Sequence, residues 1–97
     1  MKKIKVKTRP YDAADYLKTR KQMAMYLEAA LEDGHPRLVA DALGAIARAR
    51  GMTEVARKTG LGREGLYKSL SSTGNPELGT VLKVIHALGL ELRVANR

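Results

Sequence analysis

The 97-residue sequence predicts an all-α domain, a bundle of five or six helices closed by one short strand. Three observations carry that expectation. Apolar residues recur at helical spacing from Met23 to Leu88. Capping and breaking residues stand where helices should begin and end. Residues 52–70, MTEVARKTGLGREGLYKSL, read as two short helices joined by a tight turn at Thr59-Gly60-Leu61-Gly62. The length suits one hydrophobic core rather than two, so residues 11–97 are expected to form a single domain behind a basic segment, residues 1–10.

That segment, MKKIKVKTRP, alternates charge with Ile4 and Val6. It reads equally well as a short strand or as a basic arm. Asp12 opens a short helix, from Ala13 to about Leu17, with Asp15 in its first turn at the positive end of the helix dipole. Thr19 and Gln22 have capping-box spacing, so a longer helix should begin there and stop at Gly34. Met23, Leu27, Ala30 and Leu31 give it one apolar face, with Tyr26 at the core or its rim. His35-Pro36 starts the next helix, with proline at the first helical position. Leu38, Val39, Ala42, Leu43, Ile46 and Ala47 cover a wide apolar face before Gly51, which makes this the expected central helix. Arg48 and Arg50 suit the negative end of its dipole.

The paired helices follow. Thr53 is the expected N-cap of the first, Val55 and Ala56 face inward, and Gly60 ends it. Leu61 plugs the core, and Leu66 and Leu70 bury the second helix at i, i+4 spacing. Its other face carries Arg63, Glu64, Tyr67 and Lys68. Two helices crossing over a small residue with glycine in the turn match a helix-turn-helix, whose second helix lies in the DNA major groove; an ordinary αα-corner in a bundle fits the same local pattern. The turn-rich residues 71–76 lead to a last helix, expected from Pro76 to about Leu88, with Leu78, Val81, Leu82 and Ile85 inward and Gly89 at its end. Residues 90–94, Leu-Glu-Leu-Arg-Val, alternate as a strand does. A lone strand is unstable in water, so it should pair with the Ile4–Val6 segment, with a second copy, or with a partner's sheet edge.

Composition narrows the function. The net charge is +8, and a small domain this basic is suited to nucleic acid. Residues 34–74 hold seven bases against three acids, with Arg57, Lys58, Arg63 and Lys68 inside the paired-helix motif. Residues 12–33 are the one net-acidic block. The absence of cysteine excludes a disulfide framework and suits a reducing cytoplasm. No apolar run approaches a membrane span of about 20 residues, and the basic start lacks the apolar stretch of a signal peptide. The two histidines, His35 and His86, have no partner at metal-ligand spacing, and Gly60 to Gly65 lack the lysine of a nucleotide cradle. No catalytic, metal or cofactor site is therefore expected.

Several blocks, in order, resemble the addiction-module antidote proteins, small HigA-like antitoxins with an Xre-type helix-turn-helix: Ala42-Leu43-Gly44, Ala47-Arg48-Ala49-Arg50-Gly51-Met52, residues 59–68, Gly74-Asn75-Pro76 and Ala87-Leu88-Gly89-Leu90. Residues 11–17 and Tyr26-Leu27 fit the same pattern. The resemblance covers about residues 11–95. It implies a lambda-repressor-like helical domain, a partner toxin of the RelE/ParE type, and repression of the chain's own operon. The basic first ten residues lie outside it.

On this reading Arg63 pairs with guanine, Glu64 accepts from cytosine or orients Arg63, Tyr67 meets a thymine methyl or a phosphate, and Lys68 takes a phosphate or guanine. Arg57, and backbone N–H groups near Thr53 and Gly62, hold phosphates. One monomer reads little sequence, so a two-fold dimer on an inverted repeat is expected. The acids Asp12, Asp15, Glu28, Glu32 and Asp33 offer a basic toxin a complementary surface, although capping and solubility explain them as well. A stand-alone Xre-like repressor and a protein-binding helical module remain the alternatives.

Overall fold

The computed structural model describes residues 12–96; the expectations for residues 1–10 lie outside them. A single 3-10 turn, Ala13–Tyr16, precedes five α-helices: α1 (Arg20–Asp33), α2 (Pro36–Arg50), α3 (Met52–Thr59), α4 (Arg63–Ser69) and α5 (Leu78–Ala87). The described residues are all-helical and contain no strand.

Local chemistry sets these boundaries. Asp12 caps the 3-10 turn by accepting the Ala14 N–H. The Thr19–Gln22 capping box forms in full at the start of α1, with the Thr19 hydroxyl accepting the Gln22 N–H at 3.1 Å. His35 Nδ1 accepts the Arg37 N–H and caps α2. Together these satisfy backbone donors that helix starts leave unpaired.

α2 is the central helix. Every residue from Ala42 to Ala47 is buried, and the 3-10 turn, α1, α3, α4 and α5 all touch it. An apolar stripe would bury one face; burial all round follows from neighbours on every side. Gly44 is the tightest point. A Cβ there would overlap the carbonyl oxygen of Leu70, so only glycine lets the end of α4 sit on α2. The core is aliphatic, with Leu43, Ile46, Leu66, Leu70, Ile85, Leu88, Val55 and Val84 fully buried.

Several expectations are corrected. α3 begins at Met52, not Thr53: Gly51 is its N-cap, the Gly51 carbonyl accepts the Val55 N–H at 3.1 Å, and exposed Thr53 caps nothing. Gly51 alone separates α2 from α3, which draws the start one residue earlier. α5 begins at Leu78 instead of Pro76, because Glu77 keeps extended backbone and serves as N-cap. Leu78 is then 70% exposed in an uncovered first turn, and Val84 takes the inward position. Leu38, in the first turn of α2, and Leu31, near the end of α1, are also exposed. α1 packs on α2 alone among the helices, so its far edge stays open.

Arg48 and Arg50 do not cap their own helix. Arg48 Nη2 donates to Asp12 Oδ1 at 2.9 Å, which ties the 3-10 turn to α2. Arg50 Nη1 donates to the Leu88 carbonyl at 3.2 Å, so its cation serves the end of α5. The expected strand at residues 90–94 is absent. No described backbone segment pairs with residues 91–96, and an unpaired strand is unstable in water.

Candidate nucleic-acid interface

α3 and α4 meet at a turn fixed by its own side chains. Gly60 adopts φ 75°, a left-handed conformation that costs other residues the Cβ clash. The Thr59 hydroxyl donates to the Val55 carbonyl at 2.9 Å and accepts the Leu61 N–H at 3.2 Å. Leu61 then packs against the core, as its place in the sequence suggested.

α4 has two unlike sides. Leu66 is its one buried residue, and Leu70, just beyond, is buried as well. Arg63, Glu64, Gly65, Tyr67 and Lys68 are exposed. The helix touches only α2 and α3 among the elements, so nothing in the described fold covers that outer side. The Arg63 guanidinium carbon stands 5.8 Å from the Tyr67 ring centroid, a cation–π contact that orients Arg63 while leaving its donors accessible. Both residues thus belong to one outward face.

Gly65 lies between them in sequence. A Cβ there would meet nothing within 4 Å. Glycine inside a helix costs about 1 kcal/mol relative to alanine, and no packing inside the protein explains it. A bare strip of backbone on an exposed helix allows another molecule to approach closely. Beside it runs an open cleft of about 290 Å³ lined by Gly65, Lys68, Ser69, Thr73, Gly74 and Asn75. Gly74 closes one wall of it: a Cβ there would overlap the Ser69 carbonyl at the end of α4. Thr73 and Asn75 bring hydroxyl and amide groups to the Lys68 side of the helix, a donor set suited to phosphate oxygens. The sequence marked these two residues only as turn formers. Their neighbourhood with Lys68 depends on how Gly74 folds the chain back, and no local pattern announces that.

The remaining expected residues are less uniform. Arg57 is exposed but engaged, its Nη2 2.7 Å from Glu54 Oε2, and Lys58 Nζ lies 3.8 Å from the same oxygen. The hydrogen bond from Arg57 holds the Glu54 carboxyl below the usual carboxylate range, and Glu54 in turn raises the Arg57 guanidinium further. Part of the positive charge of α3 is therefore neutralised on its own helix. Thr53 is exposed in the first turn of α3, and Gly62 is the exposed N-cap of α4.

The acids of the N-terminal block separate. Glu28 and Glu32 lie one turn apart and exposed on α1, and Asp15 is exposed on the 3-10 turn. Asp12 is committed to the turn and to Arg48, and Asp33 accepts the His35 N–H at 3.3 Å. Among the described residues no three acidic or histidine side chains gather at metal-binding distance. No helix of the described residues is long and apolar enough to cross a membrane.

A family model described as "Probable addiction module antidote protein" matches residues 7–96. An uncharacterised protein of Haemophilus influenzae is 46% identical over 84 residues, 87% of each chain. No solved structure matches the chain.

Proposed function

We propose that this chain, which belongs to the family of probable addiction module antidote proteins, is the antitoxin of a type II toxin–antitoxin module. It neutralises a RelE/ParE-like toxin by direct binding. It represses its own operon by sequence-specific DNA binding through the helix-turn-helix at residues 53–70, in a lambda-repressor-like, Xre-type domain. It acts as a homodimer in the cytoplasm, without catalysis or cofactor.

One observation carries the DNA reading: α4 turns Arg63, Glu64, Tyr67 and Lys68 outward while Leu66 anchors its inner side. Phosphate neutralisation by Lys68, Arg57 and Lys58 supplies affinity that falls with salt. Arg63 and Glu64 supply base readout, Arg63 with its fork held by Tyr67. Gly65 lets the backbone of α4 come close to the groove wall. For the toxin, Glu28 and Glu32 on α1 are the acids best placed to meet a basic surface, with Asp15 beside them in the sequence-acidic block; Asp12 contributes by holding the 3-10 turn on α2.

The experiment has two arms. A mobility-shift titration uses the duplex upstream of the chain's own gene against a scrambled duplex. Preferential binding that weakens steeply with salt is expected, and equal binding to both duplexes removes the repressor assignment. Where a toxin-sized gene adjoins that of this chain, co-expression of the two should relieve growth arrest. Arrest that persists with the antitoxin present removes the toxin assignment.

A further inference from the structure

Residues 91–96 follow α5 with neither helix nor strand, and no described backbone segment pairs with them. Leu92 is 42% exposed and Val94 98% exposed. Residues 90–93, charged and apolar alike, border a half-open groove of about 280 Å³ whose lining also includes Leu27, Glu28, Leu31 and Ile85. Exposed apolar residues beside a largely apolar groove are unfinished burial. The order of residues along the strip says what completes it.

We propose that residues 90–94 pair with the same residues of a second copy of this chain, as a two-stranded antiparallel ribbon whose two-fold axis passes through Leu92. In that register Leu92 faces Leu92 of the second copy, Leu90 faces Val94, and Glu91 faces Arg93. Both charged pairs then join opposite signs, and the apolar residues fall together on the other side. In the single chain Arg93 Nη2 reaches Glu91 Oε1 at 3.1 Å, with both side chains largely exposed. Such a pair contributes little, but it shows the two side chains already sharing one side of the strip. Across the axis each acid gains a second cation.

Charge also separates this occupant from the chain's own N-terminus. Residues 3–7 read Lys-Ile-Lys-Val-Lys. Pairing them with residues 90–94, apolar side to apolar side, sets Glu91 beside one lysine but Arg93 beside another, so one of the two charged pairs joins like signs, which destabilises. Self-pairing has no such conflict. The ribbon's apolar side then lies over the groove of each copy, which supplies the packing that a bare two-stranded ribbon lacks. The inference specifies the dimer that operator reading requires and rests on that reading only for its purpose; its readouts do not involve DNA.

The 97 residues include no cysteine, so single cysteines report the register without background. Opposed Cβ atoms in an antiparallel pair stand about 4.5–5.5 Å apart, and those four residues out of register are much farther. Leu92→Cys should therefore form a covalent dimer readily with oxidant or a short bismaleimide, and Val94→Cys should not. Light scattering should find the wild type dimeric. Glu91→Arg should weaken the dimer by about tenfold, and the double variant Glu91→Arg/Arg93→Glu should restore it, since swapped charges pair again. A merely structural role for either residue predicts no such rescue.

A monomeric wild type, or a dimer in which Leu92→Cys fails to cross-link, overturns the proposal. So does an intrachain bridge between Ile4→Cys and Leu92→Cys, or cross-linking of Leu92→Cys to a co-expressed toxin instead. If the ribbon forms but no duplex is preferred, the dimer stands and the operator reading fails. If operator binding persists in a chain that does not pair here, the ribbon alone fails.

Discussion

α2 and α4 show two different reasons for a residue to be where it is. Along α2 the fold itself dictates the choice: residues Ala42 to Ala47 are all buried, and Gly44 is glycine because the Leu70 carbonyl occupies the space of a Cβ. Along α4 only Leu66 is buried, and Gly65 is glycine although its Cβ space is empty. The first glycine is explained from inside the protein. The second is not explained from inside it, since a Cβ there would meet nothing within 4 Å. Equal residue types under opposite constraints are what separate a structural element from one that presents a surface.

Substitution tests that contrast, and the largest effect should come from Gly44→Ala. The clash is with backbone, so no rotamer change relieves it, and overpacking should destabilise the fold by about 3 kcal/mol or more. Thermal or urea unfolding reads this directly. Unchanged stability would mean that α2 and α4 are not held at this distance.

Next is Asp12→Ala. It removes both the cap of the 3-10 turn and the 2.9 Å ion pair to Arg48, each only about a quarter exposed. A loss of about 1–2 kcal/mol is expected, with toxin binding altered no more than the loss of folded protein explains. A toxin affinity that falls while stability holds would instead make Asp12 a contact residue.

Gly65→Ala should have a smaller effect, and of opposite sign in two assays. Alanine raises stability by about 0.5–1 kcal/mol, because the native backbone accepts it without strain. The same methyl would border the cleft that Lys68 lines, which is proposed to meet the duplex backbone, so operator affinity should fall. Parallel changes in both assays would place the reason for this glycine inside the fold after all.

The smallest effect concerns Glu54. Its carboxyl ionises below the usual carboxylate range because Arg57 donates to it. A depressed carboxylate stabilises the fold above its unfolded pKa and loses that contribution as pH falls through the folded value. Here the pair is exposed and screened, so stability should barely change between neutral pH and mild acid. What changes is the charge left for phosphates. Glu54→Gln should raise non-specific duplex affinity by about two- to fivefold at low salt, and the gain should vanish as salt rises. A salt-independent gain would point to a reshaped α3.

Helix order and inward faces were legible wherever local rules act on nearby residues. The Thr19–Gln22 box, the His35-Pro36 start, the Gly60 turn and the Leu66–Leu70 anchor all form as their spacing implies. The failures share a cause. Thr53 has the chemistry of a cap, but Gly51 alone joins α2 to α3 and takes that place. Leu31, Leu38 and Leu78 fit apolar stripes, but periodicity does not say how far the neighbouring helix extends. Arg48 and Arg50 suit their own helix end by position, whereas their partners, Asp12 and Leu88, lie 36 and 38 residues away in sequence. The outward residues of α4 were legible because a seven-residue amphipathic helix has one inward side; the cleft that brings Thr73 and Asn75 beside Lys68 was not.

The central claim is that the outer side of α4 reads duplex DNA, and Arg63 carries most of that reading. Fluorescence anisotropy of wild type and Arg63→Ala on the upstream operator and on a scrambled duplex, at several salt concentrations, tests it most directly. Arg63→Ala should lose about 1–3 kcal/mol of operator affinity and little on the scrambled duplex, with unfolding unchanged. Equal operator affinity for the two proteins would contradict it.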